Sequence, residues 1–321
     1  MLFEKQFAKL YRSQLYTRQD NPYGVFYFGP QDFPGLQAQP YSFRSQLGHE
    51  LKGYFYYYEN PIPGRLVVFD HGMGNGHRAY MREIETLCKG GWLVFSYDHT
   101  GCMASGGKDI NGFPQSLADL DDCIRVLKAE PALSGRSIAV VGHSWGGFST
   151  MNIGALHPEI THVVAMSGFV SVERIVKQTV SGLLRGYAPA MIAMEQRNSP
   201  HYARFNALES LQKTDAKVLL IYSEDDQIVH KNVHYDPLYE TLSGKENVEF
   251  LLVTGKDHNP SYTQEAVAYK NEFWAALSRA IKKKEVSEPA QQRAFMEKYD
   301  FVRMTQQDMA VWNRIFEHLK K

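Results

Sequence analysis

At 321 residues, 44% hydrophobic and 22% charged, the chain can bury a full core without help from disulfides or bound metal. Lys+Arg and Asp+Glu each number 35, a balance that argues against nucleic acid as a partner, because a polyanion selects a basic face. No run approaches the roughly 18 apolar residues that a membrane-crossing helix needs, so no membrane span is expected.

The chain opens Met1-Leu2-Phe3-Glu4-Lys5-Gln6, with charges where a secretory signal would be apolar. Residues 1–40 read as an N-terminal extension whose job the sequence does not reveal. From Tyr41 onward, β-rich runs alternate with amphipathic stretches. Residues 41–47 and 51–59, separated by Gly48-His49-Glu50, predict an antiparallel hairpin. Its aromatic block, Tyr54-Phe55-Tyr56-Tyr57-Tyr58, suits a half-buried pleated surface. The turn Asn60-Pro61-Ile62-Pro63-Gly64 closes the segment. Apolar runs follow at 66–69, 92–97, 138–141, 162–166, 218–222 and 248–253. Most are continuous rather than alternating, as in strands covered on both faces. Helices are expected between them over 77–89, 115–129, 147–156 and 232–242, and after the last over 262–284. Ser116-Leu117-Ala118-Asp119 has the spacing of a capping box with Asp in place of Glu. Strand–helix alternation of this kind predicts the α/β class: a mostly parallel, doubly wound sheet led in by the antiparallel hairpin.

The rhythm breaks once. About fifty residues separate the strand ending near Ser167 from the one opening at Lys217, too many for a single crossover helix. Residues 181–196 are apolar on most sides, so a helical cap is expected over 169–215. Tyr187, Met191 and Met194 either line an acyl pocket in that cap or form its core. The main domain then spans 41–284. After a polar linker at 285–290, residues 295–319 predict one or two appended helices within a C-terminal extension over 285–321. Those helices are either a dimer contact or a strap across the core. Cys88, Cys102 and Cys123 are odd in number and lack CxxC spacing, so neither a disulfide framework nor a zinc site is expected. Free thiols suit a reducing, cytoplasmic setting, and Cys102 reads as a small packing residue rather than a reactive thiol.

Gly142-His143-Ser144-Trp145-Gly146 is a GxSxG pentapeptide between an expected strand and an expected helix. A sharp strand-to-helix turn needs small flanking residues, because the central backbone is strained and bulky neighbours would clash. It also lifts the hydroxyl to a helix N-terminus, where the dipole favours developing negative charge. A neutral serine is a poor nucleophile, so a base must lie in reach and a third group must orient that base. Two segments just past strand ends supply them in the order Ser, acid, His. One is Ser223-Glu224-Asp225-Asp226-Gln227-Ile228-Val229; the other is Gly255-Lys256-Asp257-His258-Asn259-Pro260. His230 and His234 precede the last strand and are poor substitutes.

Together these motifs resemble the α/β-hydrolase family over residues 41–284. The resemblance implies Ser144 as nucleophile and His258, in the family's Gly-x-x-His, as general base. The family's Asp-x-x-Val selects Asp226 over Asp225 as the orienting acid. Phe69-Asp70-His71-Gly72-Met73-Gly74 resembles the family's oxyanion loop, which implies the backbone N–H groups of Met73 and Trp145 as oxyanion donors, with His71 shaping the loop. Asp98, Gly101 and Ser105 fit the family's Asp-x-x-Gly-x-x-x-Ser and read as loop architecture. Gly74-Asn75-Gly76-His77-Arg78-Ala79 also fits a relaxed dinucleotide fingerprint. The oxyanion-loop reading explains the same glycines together with the triad, so no cofactor or metal is expected.

The expected function is hydrolysis of a carboxylic ester of a small or medium acyl group through an acyl-enzyme. The expected partner is a small-molecule acyl substrate, with homodimerisation left open. Three alternatives stand beside this reading. One is a peptidase or amidase on the same triad, since the Asp-x-x-Val segment also resembles the catalytic domains of prolyl-oligopeptidase relatives. The others are a thioesterase or acyltransferase, and a non-catalytic ligand-binding protein.

Overall fold

Continuous apolar runs need cover on both faces, and the chain supplies it on either side of a single sheet. The computed structural model describes residues 2–180 and 182–321. Its strands are β1 (Gln37–Arg44), β2 (Glu50–Tyr57), β3 (Arg65–Asp70), β4 (Leu93–Tyr97), β5 (Ser137–His143), β6 (His162–Met166), β7 (Lys217–Ser223) and β8 (Val248–Val253). They form one 8-stranded sheet in the order β1-β2-β4-β3-β5-β6-β7-β8. β1 pairs antiparallel with β2, and β2 with β4. Every pairing from β4 through β3 to β8 is parallel, as the strand–helix alternation predicts. β4 is buried throughout, and β3, β5, β6 and β7 are buried at all but their first residue. β8, at one edge, is only half-buried beyond Val248. β1, at the other edge, carries Pro40, whose missing N–H costs least there.

Two local expectations shift. The hairpin turn covers residues 45–49 rather than Gly48-His49-Glu50, because Arg44 pairs with Glu50. Gly48, at φ 79, bends the turn, and its N–H reaches Ser45 O at 2.8 Å. Turn geometry thus sets the register. The capping box is not made either: the helix Gln115–Ala129 has Pro114 at its N-cap and no side-chain cap. Ser116 instead donates to Trp145 O, and Asp119 accepts from the Thr100 N–H and from Gln115. Both side chains are buried, so tertiary bonds outcompete local capping.

Alternate residues of each strand face opposite cores. Val67, Phe69, Val141, Val164 and Ile221 pack under the helices Met81–Lys89 and Met309–Lys320. Val68, Val140, Val163 and Leu220 pack under Gln115–Ala129, Trp145–Ile153, Ala207–Lys213 and Lys231–Leu242. Between β6 and β7 the chain also forms helices Val172–Thr179 and Ala188–Asn198, where Met191 and Met194 are buried core. Ser181 and the Leu183 side chain lie outside the described residues. No described helix is long and apolar enough to cross a membrane.

The last helix is a strap across the sheet. It lays Val311, Trp312, Ile315 and Leu319 on β3, β5, β6 and β7, and Trp312 Nε1 donates to Gln307 at 2.8 Å. Trp312→Ala should therefore leave a large cavity and an orphaned acceptor, lowering stability by about 3–5 kcal/mol. Urea denaturation followed by circular dichroism reads this directly.

Residues ahead of β1 wrap onto the body. Phe7, on the helix Leu2–Leu15, stacks on Tyr187 at 4.7 Å, and Tyr11 OH donates to Glu195 Oε1 at 2.8 Å. Arg18 donates to Ser105 O and Gly107 O. Val25 and Phe26 join Phe273 and Leu277 on the helix Gln264–Lys282. Burial pushes the Glu195 carboxyl from 4.5 up to about 7. An acid with a raised folded pKa favours folding fully below its unfolded value and loses that contribution as pH rises through the folded one. Stability should thus fall from pH 4.5 to 7 through this group, by about 3 kcal/mol. Glu195→Gln mimics the neutral acid, so denaturation midpoints at pH 5 and 8 should differ less in the variant.

Candidate active site

One residue, Ser144, separates the end of β5 from the start of the helix Trp145–Ile153, and it sits at φ 56 and ψ −112. A side-chain-bearing residue there stores about 1–3 kcal/mol of strain, so the surroundings must hold it. Its N–H donates to Met166 O at 2.9 Å, and its carbonyl accepts from Phe148 N–H at 3.0 Å. The flanking glycines answer to close approach: a β-carbon on Gly146 would lie 2.1 Å from Asp70 O, and one on Gly142 would lie 2.4 Å from Gly146 O.

Loops after β7 and β8 bring the other two residues to the same sheet edge. His258 Nε2 lies 2.8 Å from Ser144 Oγ. On the far side of the ring, Nδ1 lies 2.9 Å from Asp226 Oδ2 and 3.1 Å from Oδ1. Asp226 is 3% exposed, and its Oδ1 also accepts the N–H groups of Ile228 and Val229, each at 2.8 Å. Burial acts to raise this carboxyl, but the hydrogen bond and charge of His258 and the two backbone donors outweigh it and hold the group below the usual carboxylate range. Asp225 is exposed and faces elsewhere. It accepts from the N–H groups of Gly255, Lys256 and Asp257, and so fastens the loop that carries His258.

A model of the serine aminopeptidase S33 family of hydrolases matches residues 61–250, a span that holds Ser144 and Asp226 and stops short of His258. The chain belongs to that family. A monoglyceride lipase homolog from monkeypox virus is 28% identical over 123 residues, which cover 37% of this chain and 44% of that protein. The match thus spans less than half of that relative's length. Among solved structures, an esterase from Pyrococcus furiosus is similar with a TM-score of 0.59 at 20% identity, over 84% of this chain and 98% of that one. The α/β hydrolase GrgF from Penicillium sp. sh18 is similar with a TM-score of 0.54 at 19% identity, over 77% and 97%. At such identities the likeness is one of fold: an α/β hydrolase.

In this S33-family hydrolase the loop after β3 lies against Ser144. A β-carbon on Gly72 would be 3.3 Å from Ser144 Cβ, and Met73 lines the same cavity as Ser144. Trp145 is buried and opens the helix behind the serine, its indole donating to Phe113 O. His71 is pinned: Nδ1–H donates to Gly72 O at 2.7 Å, and Nε2 accepts His99 N–H at 3.1 Å. That pairing fits only the neutral ring, and burial together with His99 pushes its pKa down to about 3. His99 itself lies 3.0 Å from Asp70 and 3.4 Å from Asp119. Burial works against its charge, yet the two carboxylates raise it to about 9. Asp98 accepts from His77 N–H and Nδ1 and from Ala104 N–H, while Ser105 caps Asp98 O. Those residues shape the loop. Cys102 is fully buried there, and burial pushes its thiol well above the ordinary range.

Sequence reasoning missed a second layer. His143, a spacer in the pentapeptide, places Nε2 2.6 Å from His258 O and Nδ1 3.0 Å from Tyr80 OH. Burial and the nearby His258 hold it at about 3, so it is neutral, with Nε2–H donating and Nδ1 accepting. A clamp thus runs from Tyr80 through His143 to the backbone of His258. Tyr80, Asn259, Tyr262 and Lys270 line a cavity of about 140 Å³ with Ser144 and His258. No motif assigned them a role, because they meet only when the segment before the helix Met81–Lys89 and the segment from 259 to 270 come together at the site.

Proposed function

We propose that the protein is a serine hydrolase that cleaves carboxylic esters of small or medium acyl groups through an acyl-enzyme. The hydrogen-bonded chain Ser144 Oγ, His258 Nε2, His258 Nδ1, Asp226 carries this reading. Ser144 Oγ attacks the ester carbonyl while its proton passes to His258 Nε2. The tetrahedral oxyanion lies against the Met73 and Trp145 N–H groups. His258 then returns the proton to the departing alkoxide oxygen, leaving Ser144 acylated. A water, deprotonated by the same nitrogen, attacks the acyl carbon; the bond from that carbon to Ser144 Oγ breaks, His258 returns the proton to Oγ, and the acid leaves. Asp226 holds the ring in the tautomer that this sequence needs. Residues 41–284 form the hydrolase domain in this reading, with 169–215 as its cap.

The cavity's small size favours short acyl groups, and the lipase homolog and esterase among the similar proteins favour esters over amides. The family's aminopeptidase name keeps amide cleavage as the second reading. A panel of p-nitrophenyl esters from acetate to dodecanoate, aminoacyl-arylamides and acyl-CoA separates them. Short esters should turn over fastest, with labelling by a fluorophosphonate probe. Faster arylamide cleavage would replace the esterase reading with a peptidase, faster acyl-CoA cleavage with a thioesterase. Folded protein inert to the probe would leave a binding protein.

A further inference from the structure

One charged group in the catalytic cavity has no part in the acyl-transfer chemistry. Lys270 lies on the helix Gln264–Lys282 and lines the same cavity as Ser144, next to Asn259. Its Nζ donates to Asn259 Oδ1 at 2.8 Å and stands 5.0 Å from the Phe26 ring centre and 5.1 Å from that of Tyr262. Among the described residues, none of the ion pairs includes Lys270. An ammonium carries three donors, and this one has a single neutral acceptor and two aromatic faces. Glu83, on the helix Met81–Lys89, and Asp257 are near enough to favour its charge, but neither carboxylate stands within ion-pair distance of Nζ. Burial lowers Lys270 to about 8, which leaves it largely cationic at neutral pH.

A half-desolvated cation with spare donors, facing a reactive serine, is matched by an anion that arrives with the substrate. Its position says which part of the substrate. Lys270 is tethered to the residue that follows His258, and His258 is the group that hands a proton to the leaving oxygen. We propose that Lys270 is an anion-recognition subsite on the leaving-group side of the cavity, so that the preferred ester is one whose alcohol portion carries a carboxylate or phosphate. Phe26 and Tyr262 flank the ammonium. The proposal rests on the serine-hydrolase reading and adds the substrate class to it.

The test uses matched esters that differ in one charge, with acetate release followed for each. 3- and 4-acetoxybenzoate are compared with their methyl esters, and 4-acetoxyphenyl phosphate forms a second arm. The native protein should favour the charged member of a pair in kcat/KM by about tenfold or more, as a charge-assisted hydrogen bond allows. Lys270→Gln should collapse that ratio toward one, and Lys270→Arg should keep most of it. Selectivity in the carboxylate pairs alone or in the phosphate arm alone identifies which anion the site takes. A ratio near one in the native protein overturns the subsite. So does a Lys270→Gln variant that lowers charged and neutral esters equally, which would make Lys270 a prop for the Asn259 loop. Hydrolysis of none of these esters, with no fluorophosphonate labelling, would instead bring down the serine-hydrolase reading beneath it.

Discussion

Ser144→Ala is expected to reduce kcat on the best ester by about a millionfold while leaving the unfolding transition where it was. The size of the loss follows from chain logic: in the proposed mechanism His258 and Asp226 act only by moving the proton of one hydroxyl, so removing that oxygen idles all three. A residual rate about a thousandfold above the uncatalysed reaction should survive, because the oxyanion donors proposed at Met73 and Trp145 would still stabilise an oxyanion formed by water attack. Stability should hold because alanine keeps a β-carbon at the same strained φ of 56, and the Met166 and Phe148 bonds run through the backbone. Steady-state turnover, probe labelling and a thermal melt on one preparation check all three parts. A folded alanine variant within about tenfold of native activity would remove Ser144 from the chemistry altogether.

Much of this arrangement is legible in the chain, and the reasons differ by residue. Strands β3 to β7 announce themselves because double-sided burial demands continuous apolar runs. The positions of Ser144, Asp226 and His258 follow from where those runs stop. Asp226 and Asp225 are adjacent and chemically identical, so only the resemblance to Asp-x-x-Val separates them in the chain; in the fold one turns inward to His258 while the other fastens the 255–257 backbone. Asp119 shows the opposite failure: its spacing to Ser116 is a valid local signal, overridden by Thr100 and Gln115 once the helix packs. His143 and Tyr80 were unreadable because their partners lie far along the chain, as does Phe26, whose ring stands beside Lys270. Contacts of that kind have no local period or spacing to betray them.

Asp226→Asn is expected to cost about ten-thousandfold in kcat with little change in shape. Asp226 Oδ1 is committed to two backbone donors, Ile228 N–H and Val229 N–H. An asparagine must therefore keep its carbonyl oxygen on that side, since its NH2 would face two donors there. The amide NH2 is then forced toward His258 Nδ1, in place of the acceptor Oδ2. His258 can meet a donor at Nδ1 only by carrying its proton on Nε2, which points at Ser144 Oγ. In that tautomer the ring has no lone pair for the serine proton, and the base is lost without removing a single heavy atom. Asp226→Ala frees Nδ1 from the mismatch and should retain more activity than the isosteric variant, an inversion that bulk or stability effects do not produce. Measuring kcat for both variants, with the 15N shifts of His258 as a reading of its tautomer, tests the chain of reasoning. An asparagine variant as active as the native protein would mean that His258 takes its orientation from elsewhere, with the His143 and Tyr80 clamp on its backbone as the next place to look.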